Sequence, residues 1–185
     1  MMVSDDGFGI PPVYSDEVHR IPNIVKLGIK GGGEPKDKWA SNQLFRRVNR
    51  NTSVDLSLDH VGLPIALYDE IQGIVAVKGV SFGDTNPFEY PYFALGFWAP
   101  LSDDDYAFRW YPKVQIKPIE EEYETDTDES EIKDVKLEMT AVGLRYNNTL
   151  QSTYNSAREG ADGITLEQFS KSVIYEEKQL TSLPS

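Results

Sequence analysis

Residue types that build enzyme sites are scarce in this chain of 185 residues. It has two histidines, His19 and His60, and no cysteine. That excludes thiol nucleophiles, Cys-ligated zinc, iron–sulfur clusters and disulfide frameworks. Ser57-Leu58-Asp59-His60 contains the residue types of a nucleophilic triad, but adjacency in sequence does not supply triad geometry. The segment reads more simply as a strand exit with an Asp cap. Gly31-Gly32-Gly33 lacks the trailing Gly-Lys-Ser/Thr of a phosphate-binding loop and the strand–helix context that such a loop needs. Asp126-x-Asp128-x-Ser130 matches the opening of an EF-hand loop. Its sixth position, however, is Glu131 where glycine is required, and its twelfth is Leu137 where a bidentate Glu is required. Adventitious cation binding is all that this pattern supports. Asp69 and Glu70 have the chemistry of a glycosidase acid/base pair, but nothing in the sequence sets two carboxylates across a cleft. Neither a metal nor a cofactor is implied.

Charge is the more informative property. The formal net charge is −12 and the isoelectric point is near 4.6. Tight binding to a phosphate backbone is therefore disfavoured, because Lys and Arg supply that affinity by displacing counterions. The charge is unevenly distributed: residues 1–50 carry +2 and residues 51–185 carry −14. Eight acids fall within thirteen residues, Ile119 to Glu131: Glu120, Glu121, Glu122, Glu124, Asp126, Asp128, Glu129 and Glu131. Such a run ordinarily forms a solvated loop, since like charges repel and favour extension. Arg46, Arg47 and Arg50 form the one basic cluster, which is too small for a nucleic-acid patch and better suited to an acidic neighbour. No apolar run approaches the length of a membrane span. The first residues show no basic stretch ahead of an apolar core, so no secretory leader is expected. The sequons Asn51-Thr-Ser53 and Asn147-Asn-Thr149 matter only in a secreted eukaryotic protein.

The elements that must carry these charges alternate with period two. Tyr106, Phe108, Trp110, Pro112, Val114 and Ile116 form one apolar row; Arg109, Lys113 and Lys117 on the other row predict a solvated basic face. Val135, Leu137, Met139 and Ala141 alternate with polar residues on the far side of the acidic run. The two stretches read as a long hairpin with a charged connection. Val54, Leu56 and Leu58 mark another half-buried strand. Tyr90 to Trp98 is nearly continuous in apolar residues, as for a strand buried on both faces. Ten of the twenty-four residues from Phe88 to Tyr111 are aromatic, which places the thickest core there. One helix is expected from Leu63-Pro64 to Ile71, with Leu63, Leu67 and Ile71 on one face, Pro64 in its first turn and Gly73 beyond its end. Thr165–Ser172 is a weaker helical candidate. Residues 28–42 read as a Gly- and Lys-rich loop, and 147–163 as loop or extended arm. The residues alone thus describe an all-β domain without catalytic equipment, carrying a long acidic hairpin.

The order of these elements resembles the major tail (tail tube) proteins of siphophages. The resemblance rests on Ser53-Val-Asp-Leu-Ser-Leu58 followed by Leu63-Pro-Ile-Ala-Leu-Tyr-Asp-Glu-Ile-Gln-Gly73. It continues through Tyr92-Phe-Ala-Leu-Gly-Phe-Trp98, Tyr106-Ala-Phe-Arg-Trp-Tyr-Pro-Lys-Val114 and Lys136-Leu-Glu-Met-Thr-Ala141, about half the chain. It implies a mainly β fold, an antiparallel β-sandwich with one flanking α-helix and the acidic hairpin. The organisation expected is an N-terminal arm over 1–45, a sandwich core over 46–146 and a C-terminal arm over 147–185. It further implies a structural virion protein in the phage tail, assembled in the host bacterial cytoplasm. Six copies would close a ring, and rings would stack into the conduit for DNA ejection. The partners implied are other copies of the chain, a tape measure protein, and terminator and distal tail proteins. DNA would pass without specific binding, and no membrane is involved. The eight acids of 120–131 are then expected at the lumen or at a ring-to-ring junction opposite Arg46, Arg47 and Arg50. Three other readings stay open: another ring-forming tail protein, a carbohydrate-binding β-sandwich stacking sugars on exposed members of Tyr90, Tyr92, Trp98 and Trp110, and a hydrolase with paired carboxylates.

Overall fold

The structure, a computed structural model, describes residues 1–4, 7–21, 24–32, 36–40, 43–48, 52–83, 85–102, 104–118 and 135–183. The chain order is β1 (Met2–Ser4), β2 (Val13–Tyr14), β3 (Ile24–Gly32), β4 (Lys36–Ala40), β5 (Gln43–Val48), β6 (Ser53–His60), α1 (Ile65–Gln72), β7 (Tyr92–Pro100), β8 (Tyr106–Ile116), β9 (Val135–Val142), β10 (Ser152–Asn155) and α2 (Leu166–Lys171). The fold is mainly β. A six-stranded antiparallel sheet runs β10-β8-β9-β6-β3, with β7 on the other edge of β8, and two-stranded ribbons pair β1 with β2 and β4 with β5.

β6 lies between β3 and β9 and alternates as its sequence predicts: Val54, Leu56, Leu58 and His60 are buried, while Asp55 is exposed. β9 does the same with Leu137, Met139 and Ala141. The two strands flanking the acidic run do pair: Val114 faces Ala141, Ile116 faces Met139, and the Lys117 amide donates to the Glu138 carbonyl at 2.8 Å. α1 packs on this side. Pro64 precedes its first turn, Gly73 ends it in the left-handed region (φ 68°), and Leu67 and Ile71 enter the core. Eight residues are too few for a stable isolated helix. Burial of Leu67 and Ile71, at roughly 1.5–3 kcal/mol per large aliphatic side chain, holds it in place.

β8 departs from a single apolar row. Phe93 of β7 faces Val114, but Leu95 faces Tyr111, so two steps on β7 match three on β8. The extra residue is a β-bulge at Pro112–Lys113, a position that also accommodates the missing proline N–H. The bulge shifts the phase. Tyr111, Val114 and Ile116 join Leu56, Met139 and α1 in one core cluster, whereas Phe108 and Trp110 join Tyr154, Phe169 and Ile174 in another. Because Trp110 and Tyr111 are consecutive in a strand, these clusters lie on opposite faces of the sheet. Lys113, expected on a solvated basic face, is only 3% exposed, with Nζ 4.5 Å from the centroid of the Tyr92 ring.

Three further expectations change. β7 is an edge strand paired to β8 among the described residues and half-buried rather than covered on both faces; Phe88 and Trp98 are 61% and 60% exposed, so the aromatic stretch is only partly core. The Gly/Lys-rich stretch forms β3 and β4 instead of a loop. An edge strand tolerates such a sequence, and Gly28 packs closely on Ser57 of β6. Residues 152–155 form β10 on β8, so the sheet draws strands from before residue 46 and after residue 146. The weaker helical candidate Thr165–Ser172 does contain a helix, α2, which stands beside the one flanking helix that the resemblance implies. Its Thr165/Gln168 capping box fixes the first turn, and Phe169 packs edge-on against Phe108 at 5.7 Å. The Trp110 indole N–H donates to the Phe169 carbonyl at 2.9 Å, joining this helix to β8.

Gly96 faces Trp110 across the β7–β8 pair, and a Cβ there would stand 2.6 Å from the indole ring. Gly96→Ala is expected to destabilise the fold by about 1–3 kcal/mol, the usual cost of overpacking, measured by denaturant unfolding. A neutral result would place the indole elsewhere.

Candidate assembly surface

Residues 74–91 leave the C-cap of α1 and return to β7 as an arm. Every described residue from Val75 to Glu89 is exposed. Val77 and Val80 exchange backbone hydrogen bonds at 2.9 and 3.1 Å, closing a two-residue turn. Lys78 (φ 54°) and Gly79 (φ 81°) both take positive φ, as a type I′ turn demands. Val75, Val77, Val80, Phe82 and Phe88 are all exposed along this arm, Phe82 at 88%. The N-terminal segment repeats the design: Gly7 and Ile10 bridge a tight turn with Phe8 exposed. A soluble monomer rarely leaves clustered apolar side chains in water, so such patches mark contact surfaces. Phe88 also anchors the arm's return: it packs edge-on against Tyr90 at 5.2 Å, and its ring approaches Gly73.

The acidic segment leaves from a pinned root. Lys117 Nζ is 2.8 Å from Asp55 Oδ1 on β6, and Thr140 Oγ1 on β9 donates to the same oxygen at 3.2 Å. The hydrogen bond from Lys117 chiefly holds the Asp55 carboxyl below its usual range. Lys136 Nζ, 2.8 Å from Glu138 Oε1, lowers Glu138 in the same way. These pairs lie on the sheet face opposite the α1 core.

Of the expected site residues, Glu120, Glu121, Glu122, Glu124, Asp126, Asp128, Glu129 and Glu131 lie outside the described residues, as does Arg50. Arg46 and Arg47 are on β5, with their Cα atoms opposite Lys38 and Asp37 of β4. Ser57 and His60 alternate to opposite faces of β6, so the triad residue types are not brought together, and the segment is strand throughout. Glu70 is engaged by His19, with Nε2 to Oε2 at 3.0 Å. Among the described residues, no three His, Asp or Glu side chains gather as metal ligands, and no helix is long and apolar enough to cross a membrane. Of Tyr90, Tyr92, Trp98 and Trp110, only Trp98 is exposed. The arm at 74–91 is not among the sequence-based expectations. Its signal was present in Lys78-Gly79 between alternating Val75, Val77, Val80 and Phe82, a short hairpin pattern.

Asp55→Asn should cost at most about 1 kcal/mol at neutral pH, the ceiling for a solvent-screened pair. A carboxylate lowered in the folded state stabilises above its unfolded pKa and loses that contribution as pH falls through the folded value. The difference between variant and wild type should therefore vanish in strong acid, as followed by thermal melts across pH. A pH-independent difference would exclude the ionised pair as its cause.

No protein-family model, curated protein or solved structure matches this chain.

Proposed function

We propose that this chain is a structural subunit of the siphophage tail-tube type. In this reading six copies close a ring, rings stack into a tube, and the antiparallel sheet is one layer of the tail-tube sandwich. The subunit has no catalytic role, and it works in the phage tail with other copies of itself, a tape measure protein, and terminator and distal tail proteins. The observation that carries the proposal is the 74–91 arm, which is ordered by its own turn yet apolar and exposed. Such an arm is stable in water only at a cost that a neighbouring copy removes by covering it. Heterologous contacts of this kind close into rings by rotation.

The electrostatics agree with this reading. Eight carboxylates fall between residues 119 and 131 in the sequence, on the connection that follows Lys117, and a lumen wall carrying them would repel phosphate. A duplex can slide along such a wall, whereas a basic wall would hold it.

Negative-stain microscopy and light scattering of the purified chain should show rings or tubes; monodisperse monomers at every concentration would overturn the assignment. Replacing Glu120, Glu121 and Glu122 together by Lys should slow DNA ejection or block ring stacking, and normal tubes with normal ejection would remove the acidic segment from the mechanism. Val77→Ser with Phe82→Ser should leave the unfolding free energy within about 0.5 kcal/mol of wild type, as for exposed positions, while reducing assembly. Unchanged assembly would show that the arm is not a contact.

A further inference from the structure

We infer that the Val77–Val80 turn of one copy seats in a groove between residues 17–20 and α1 of a second copy. This rests on the assembly reading above and adds the receiving surface. The groove holds about 410 Å³. Pro64, Ala66 and Leu67 give it an apolar wall, and Glu17, His19, Arg20 and Glu70 give it a charged rim. Val18 and Ile65, adjacent in sequence to the lining residues, are both exposed.

The turn complements this groove in charge. It presents two valines on either side of a single cation, Lys78. Its backbone is already fixed by the reciprocal Val77–Val80 bonds, so little ordering entropy remains to oppose docking. Glu70 is occupied by His19 at 3.0 Å, which leaves Glu17 as the rim carboxylate for Lys78. The valines against Pro64, Ala66 and Leu67 supply the attraction. The Lys78–Glu17 pair, exposed at a rim, mainly fixes the register.

A second copy is the occupant because each chain carries both parts, exposed at the same time. A turn that enters a different surface on the next copy repeats around a ring without exhausting either partner.

The absence of cysteine makes the test clean. Full-length chains bearing K78C and chains bearing E17C, differently tagged, are mixed under assembly conditions and mildly oxidised. A heterodisulfide at least about fivefold above a control pairing of K78C with S182C is expected, since Ser182 is exposed but outside the groove. K78E and E17K should each raise the concentration needed for half assembly by at least about fivefold, through like-charge contact at the rim, and K78E/E17K together should restore it. If the wild type assembles but the heterodisulfide stays at control level, or if both single charge variants assemble normally, the contact is wrong and the tube reading stands. A disulfide that forms only within a doubly substituted K78C/E17C monomer would mean self-docking and also overturn the contact. Wild-type chains that remain monomeric at every concentration would overturn the tube reading, and the contact with it.

Discussion

The fold depends on β8, and β8 depends on how it accommodates Pro112. This is the strand with the most neighbours in the sheet: β7 on one edge, and on the other β10 along residues 107–110 and β9 along 114–116. A proline within a strand so paired removes a ladder donor. Here it falls between the ends of β10 and β9, and the bulge beside it takes up the extra residue. The Pro112 carbonyl is still used, accepting from the Tyr14 hydroxyl at 2.7 Å and so tying the N-terminal ribbon to the sheet. The same bulge turns Tyr111 and Val114 to one face and leaves Trp110 on the other. One strand thereby feeds two cores, under α1 and under α2. Without the phase shift, Val114 and Ile116 would point away from Leu56 and Met139.

A body fixed in this way gives the acidic connection and the apolar arm defined starting points. The acidic connection starts where β8 and β9 are paired and where Lys117 is held by Asp55. The apolar arm starts at the left-handed Gly73 cap, where the Ile74 amide donates to the Asp69 carbonyl at 2.8 Å, and it ends as the chain enters β7. Both segments start from elements that are themselves buried on one side.

The regular parts of this arrangement were legible in the sequence wherever one face of an element meets water. β6, β9 and α1 each show a clean period, because each is buried on one side only. Legibility failed where context outweighs pattern. Pro112 and Lys113 look like members of an alternating row, and only the count against β7 reveals the bulge. β3 and β4 hide behind glycines and lysines that edge strands tolerate and that composition assigns to loops. β10 is four residues of Ser, Thr, Tyr and Asn, and it becomes a strand because β8 offers it an edge. For the site, the acid-rich stretch drew attention because charge is visible in one dimension. The arm is harder to read in sequence because Val75 to Phe82 resembles core sequence, and only its exposure in the fold distinguishes it from a core strand.

Charge and apolar exposure then have to be weighed together. Each copy carries −12, so bringing copies together is opposed by long-range repulsion, screened beyond about 8 Å at physiological salt. Rim ion pairs recover little of that, at about 0–1 kcal/mol each. Apolar burial at roughly 25 cal/mol per Å² is insensitive to charge at that range, and the exposed valines and phenylalanines of the arm are among the places where the chain offers it. In this reading the two features that first seem opposed, an acidic surface and greasy projections, divide the labour. On the tube proposal, the projections would hold like-charged copies together over short distances, and the charge overcome there would keep the assembled wall from gripping another polyanion.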